Sequence, residues 1–158
     1  MGRGEFIVMM AALMALTALA IDSMLPALQT IGAELGVTNA NHSQWVLSAF
    51  LLGLAIGALA FGPLSDRFGR RPIMLGALAT YVVFAIGCGL APNFPTLLFF
   101  RFLLGFAAAA MNVLAISIVR DRYVGDEMAQ LLSTIFIVFM IVPIIAPWVG
   151  QFILLFAH

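Results

Sequence analysis

The sequence predicts an all-α polytopic membrane protein of five transmembrane helices, and three observations predict it. Of its 158 residues, 64% are hydrophobic and only 9% are charged, whereas soluble domains carry about 25% charged residues and about half apolar ones. Mean hydropathy is +1.15. The apolar residues also gather into five runs, each close to the roughly 20 residues that cross about 30 Å of hydrocarbon. A water-soluble fold of this size has no interior large enough to hide them, so the lipid bilayer is the expected solvent for much of the chain.

The runs lie at about 6–28, 44–64, 72–90, 96–118 and 128–156 and are read as one transmembrane domain, 1–158. The breaks between them carry turn and charge signals, at 36–43, 65–71, 91–95 and 120–127. The first run has a second reading. Arg3, an apolar stretch and Ala18-Leu19-Ala20 resemble a secretory signal with its small-residue cleavage site. The stretch is long for that purpose, and Met24, Leu25 and Leu28 continue it, so a retained span is expected.

Orientation follows from arginine. The chain has no Lys and seven Arg, and Arg3, Arg67, Arg70, Arg71, Arg120 and Arg122 fall at the N-terminus or in the even-numbered connections. The odd-numbered connections hold neither Lys nor Arg. The positive-inside rule then places the N-terminus and both arginine-bearing connections in the cytoplasm.

Composition excludes other classes of function. Formal net charge is zero, which offers no basic face to nucleic acid. Cys88 stands alone in an apolar run, so neither a disulfide nor a Cys-rich metal site is available, and it reads as a small packing residue. His42 and His158 lie outside the spans, with no H-E-x-x-H, phosphate loop or hydrolytic triad nearby. No enzyme, cofactor or metal is expected.

Small residues mark where helices approach. Gly53 and Gly57 form a G-x-x-x-G pair, Gly105 and Ala109 a similar one, and close packing is the plain reading of both. Three other groups carry more. The second connection reads Gly62-Pro63-Leu64-Ser65-Asp66-Arg67-Phe68-Gly69-Arg70-Arg71-Pro72. Its glycines permit a tight turn, and Pro72 suits the first position of the next helix. Asp66 can pair with the surrounding arginines or with a helix N-terminus; a purely topogenic basic loop is the blander account. Asp22 and Arg101 are charged positions inside spans, where ionisable groups seek a partner or a wet cavity. Asp22 lies about 24 Å into its span and Arg101 about 7–8 Å from the outer end of its own, so the two stand at level depths. Beyond Arg101 the fourth span is apolar apart from Asn112 and Ser117. The fifth carries Pro143, Pro147 and Gly150 in P-x-x-A-P-x-x-G, where each proline removes a backbone hydrogen bond and bends the helix.

The second connection resembles the G-x-L-[SA]-D-R-x-G-R-[RK]-P signature of major facilitator superfamily transporters, at the expected place between spans. Arg101 with Gly105 is similar to the family's fourth-span signature, with Leu104 where many members carry Gln. Asp22 and Pro26 resemble its first-span motif. The prolines of the fifth span are similar to the antiporter motif of the Bcr/CflA drug-efflux branch, although a structural kink also accounts for them. Glu5-Phe6-Ile7 and Leu25-Pro26-Ala27-Leu28 point the same way.

The resemblance implies a transporter of small molecules coupled to protons, in a bacterial cytoplasmic membrane. Asp22, Arg101 and Asn112 would serve substrate and proton coupling. Gly62, Asp66, Arg67, Gly69, Arg70, Arg71 and Asp121 would form a cytoplasmic gate, in which Asp66, Arg70 and Asp121 make a charge cluster. Pro143, Pro147 and Gly150 would be the antiporter element. Such transporters have two six-helix halves, so the 158 residues are expected to be an N-terminal portion whose partners are a sixth span and a second half, inactive alone. A facilitator for a different solute, and a structural or assembly role for a short membrane protein, stay open.

Overall fold

Hydrocarbon offers a peptide group nothing to bond, so a chain this apolar has to satisfy its amides within helices. The computed structural model describes residues 2–22 and 40–156, with the side chains at 40–43, 142–143, 146–147 and 149–156 outside that description. Among the described residues five helices follow one another: α1 (Arg3–Asp22), α2 (Ala40–Phe68), α3 (Arg70–Gly89), α4 (Phe94–Arg122) and α5 (Asp126–Phe156). Among the described residues there is no strand. Helices α1 to α4 are each long and apolar enough to cross a membrane, and α5 runs for 31 residues. The expectation of an all-α, five-helix membrane protein holds.

The helix ends follow local chemistry. Asn93 caps α4, its Oδ1 accepting from Thr96 N at 3.0 Å. Gly125, at φ 65°, turns the chain between α4 and α5, and Asp126 and Glu127 then occupy the first turn of α5, where carboxylates favour the positive helix end. Helix α2 ends later than its apolar run suggests. It continues through Pro63 to Phe68, leaving Gly69 alone between two helices.

The described residues form two compact units. The first holds α1, Ala115–Arg122 of α4, and α5. Its core is a stripe of Phe6, Met10 and Met14 on α1, joined by Ala11 and packed with Ala115, Val119, Leu131 and Ile135. The four-residue spacing within each helix is the α-helical repeat that makes such a stripe, and the two methionines fill irregular space between the aliphatics. At one end the Phe6 ring lies 6.0 Å from that of Tyr123 and 5.5 Å from the Arg122 guanidinium.

The second unit holds α2, α3 and the rest of α4. Here α2 and α4 touch backbone to backbone. A Cβ on Gly53 would fall on the Phe102 carbonyl oxygen, one on Gly105 on the Phe50 carbonyl oxygen, and one on Gly57 would meet Phe106 O at 2.6 Å and Ala109 Cβ at 2.7 Å. The two small-residue pairs of the sequence are therefore the two faces of one contact. Helix α3 packs more loosely, burying Ala77 and Tyr81. The three helices leave an apolar groove of about 410 Å³ between Phe61, Ala77, Phe84 and Phe106. The Thr80 hydroxyl in its lining hydrogen-bonds back to the Gly76 and Ala77 carbonyls of its own helix.

Gly53→Ala is expected to lower the unfolding free energy of the detergent-solubilised protein by about 1–3 kcal/mol, the usual cost of overpacking. Gly76→Ala, where an added Cβ meets nothing within 4 Å, serves as the control and should not lower it. Unfolding in an SDS titration, followed by circular dichroism, measures both.

Candidate functional site

The junction of α2 and α3 is built from one glycine and one arginine. Gly69 has φ 90° and ψ 154°, a conformation that glycine adopts without the steric cost a Cβ imposes. Its N–H donates to Ser65 O at 3.0 Å, closing the last turn of α2. Beyond it, Arg70 opens α3 and reaches back. Its Nη1 donates to Ser65 Oγ at 2.7 Å, and its Nη2 pairs with Asp66 Oδ1 at 2.8 Å. Ser65 is 1% exposed and donates in turn to Gly62 O at 2.9 Å. One planar fork thus ties a buried hydroxyl and a surface carboxylate to the start of the next helix, a task that suits guanidinium better than ammonium.

The segment read as a loop is therefore mostly helix. Gly62, Asp66 and Arg67 lie on the last two turns of α2, Arg70 and Arg71 on the first turn of α3, and only Gly69 leaves the helical path. Pro72 is the third residue of α3, not the first. The physical reason is the reach of Arg70: it meets Ser65 and Asp66 because helix brings both to the end of α2. Arg67 lies over the Phe68 ring at 5.5 Å, and Arg67 and Arg71 are both exposed. Of the three members expected in the charge cluster, Asp66 and Arg70 form an ion pair. Asp121 is exposed near the end of α4 and belongs to the first unit.

Asp22 is the last residue of α1 and is half-buried. Pro26 and the rest of its motif lie outside the described residues. Arg101, in the second unit, sits two turns into α4 and is half-buried. The Phe102 and Gly105 contacts with α2 hold the backbone that follows it. Tyr81 and Cys88 of α3 come within electrostatic reach of its guanidinium. Asn112, half-buried, is eleven residues further on, three turns of the same helix, and so shares a face with Arg101. Pro143, Pro147 and Gly150 fall within the continuous helix α5, their side chains outside the described residues.

Two residues escaped the sequence reading. Ser65 is the hub of the junction, signalled only by lying one turn after Gly62 and one residue before Asp66. Tyr81 is a buried tyrosine in an apolar run, and its signal was the hydroxyl itself, which needs a partner when buried.

Ser65→Ala is expected to destabilise the protein by about 1–3 kcal/mol, because it removes a buried acceptor of Arg70. Thermal unfolding in detergent measures it, with Ser133→Ala as the control; that exposed hydroxyl bonds only to its own helix, at Ala129 O, and its loss should be silent.

The family described as Major Facilitator Superfamily matches residues 9–158. The chain is 39% identical over 135 residues to the "Uncharacterized MFS-type transporter YdgK" of Bacillus subtilis (strain 168), covering 85% of this chain and 33% of that protein. It is 37% identical over 158 residues to the "Bicyclomycin resistance protein homolog" of Haemophilus influenzae, covering 97% of this chain and 38% of that one. It is 33% identical over 153 residues to the "Multidrug resistance protein MdtL" of Escherichia coli, covering 96% and 38%. The chain thus spans 33–38% of the length of these relatives.

Proposed function

This chain belongs to the major facilitator superfamily, and from that premise we propose that it is the N-terminal part of a proton-coupled exporter of drugs or other small molecules in a bacterial cytoplasmic membrane. The observation that carries the reading is end-to-end similarity: 97% of the chain aligns with a bicyclomycin resistance homologue and 96% with a multidrug resistance protein. In this reading the N-terminus and the α2–α3 junction face the cytoplasm. The partners of the chain are the bilayer, protons, a small-molecule substrate, a sixth span and the second six-helix half. Alternating access needs one bundle to rock against another around a shared midplane site, so these 158 residues alone catalyse no transport.

Asp22, Arg101 and Asn112 take the coupling roles. A carboxylate near the transport path can exchange a guanidinium, a cationic substrate and a proton as its partner. Protonating Asp22 weakens its hold on a cation, which is one physical route to antiport. Asp66 and Arg70, with Asp121, form the gate: their interactions favour one of two global states, while Gly62, Gly69 and the exposed Arg67 and Arg71 shape the junction that carries them. The Pro143, Pro147 and Gly150 element of α5 takes the antiporter role. A facilitator for a different solute is the second reading.

The test is efflux of bicyclomycin and of the cation ethidium from cells under an imposed pH gradient, using the full-length transporter that carries this segment. Efflux that collapses with the gradient is expected, and Asp22→Asn should abolish it for ethidium at matched expression and membrane insertion. Asp22→Asn exporting ethidium at the wild-type rate, with the same pH dependence, would remove Asp22 from the coupling. Efflux of neither compound above background would leave the solute-facilitator reading.

Asp66→Asn and Arg70→Ala should slow cycling more than they weaken ligand binding. A switch biased by about 1–3 kcal/mol shifts state populations about 5- to 150-fold when the bias is lost. Parallel measurement of binding and efflux separates the two, and equal losses in both would count against a gate.

A further inference from the structure

Helices α3 and α4 form an antiparallel pair joined by the four residues between Gly89 and Phe94. In such a pair, residues at equal distances from the turn lie opposite one another. Two contacts fix the register: the Phe84 and Phe100 rings are 6.5 Å apart, and a Cβ on Gly87 would meet the Phe100 ring at 2.9 Å. Tyr81 is eight residues before the end of α3 and Arg101 seven after the start of α4, about 12 Å and about 10 Å along their helices. They stand level. Tyr81, Phe84 and Cys88 also repeat at helical spacing along one stripe of α3, the stripe that touches Phe100.

The chemistry suits the placement. Tyr81 is 9% exposed, and a buried phenol needs a hydrogen-bond partner. A guanidinium within a span needs one too, and has five N–H groups to give, while the phenol oxygen has lone pairs to accept. The phenol is neutral at physiological pH. It holds the guanidinium without cancelling its charge, which a carboxylate could not do. The backbone that follows Arg101, from Phe102 to Phe106, packs against α2, which anchors the helix beside Arg101 and leaves the direction of the cation to what meets its head group.

We propose that Tyr81 is the positioning residue for Arg101, its phenol oxygen accepting a hydrogen bond from the guanidinium across the α3–α4 pair and fixing the direction in which the cation points. The functional half of this statement rests on the reading of Arg101 as part of the coupling apparatus. The contact itself does not.

Two measurements on the full-length transporter separate those halves. The first is a double-mutant cycle in thermal unfolding with Tyr81→Phe and Arg101→Leu; Tyr81→Phe keeps the ring buried and removes only the hydroxyl. The expected result is coupling, with the double variant shifted by less than the sum of the single shifts. Additive shifts overturn the contact. The second is the initial rate of ethidium efflux under a pH gradient at matched expression. Tyr81→Phe is expected to lower the maximal rate about fivefold, a typical coupling between neighbouring groups, with KM within about twofold, and to lower it no further in an Arg101→Lys background. A wild-type rate for Tyr81→Phe, or independent losses in the two backgrounds, overturns the positioning role. Arg101→Ala at the wild-type rate overturns the reading of Arg101 and the positioning role with it, while the unfolding cycle still decides the contact. Cys88→Ala, which removes the other neighbour that α3 brings within reach, should transport normally; a loss equal to that of Tyr81→Phe would move the role to Cys88 and overturn the assignment.

Discussion

Two helix backbones can meet only where at least one of them presents no side chain at the point of contact, and the second unit depends on such a meeting. Gly53 and Gly57 on α2 face Phe102, Phe106 and Ala109 on α4, and Gly105 on α4 faces Phe50, with carbonyl oxygens where a larger residue would put its Cβ. In a bilayer, where burying apolar surface between helices gains little over contact with lipid, this close packing is itself the source of affinity. It also sets positions. Arg101 is one turn before Gly105, so its depth is fixed by that contact. The α2–α3 junction begins one turn after Phe61, whose ring lies 5.0 Å from that of Phe106, so α4 buttresses α2 almost to its end.

The charges divide accordingly. Arg67, Arg70, Arg71, Arg120 and Arg122 cluster at helix ends, and the partners seen there are modest: a phenylalanine ring under Arg67, another under Arg122, a carboxylate on Arg70. Exposed pairs of this kind contribute little to stability. Arg101 is the contrary case, a cation placed beside neutral groups of α3 and held by a rigid stretch of helix.

Much of this was legible in the residues. The spans, the all-α class and the family came from hydropathy and from one ordered string, Gly62 to Pro72. The G-x-x-x-G pairs were read as packing, and they pack. The junction itself was misjudged in shape. Gly, Pro, Ser, Asp and Arg in close succession carry the composition of a loop, yet all but Gly69 are helical, because the hydrogen bonds of Arg70 reward helix on both sides. The partners of Ser65 and Tyr81 were not legible. Each is a single polar group in an apolar context, and neither period nor spacing tells which side chain on another turn or helix will meet it. The proposed coupling of Asp22 with Arg101 met a different limit, since depth along a helix can be counted from sequence but the facing of two separate helices cannot.

The junction has no slack. Loops between elements ordinarily absorb insertions and deletions because their backbone runs free over the surface. Here the connection is one residue long, and three fixed intervals cross or abut it: three residues from Gly62 to Ser65, five from Ser65 to Arg70, four from Asp66 to Arg70. Adding a single residue within the last turn of α2 would rotate everything before it by about 100° relative to Arg70, carrying the hydroxyl or the carboxylate to the wrong side of the helix. Substitutions at this place are tolerable one by one. Changes of length are not, and natural variation in the segment should therefore be variation of letters within a constant count.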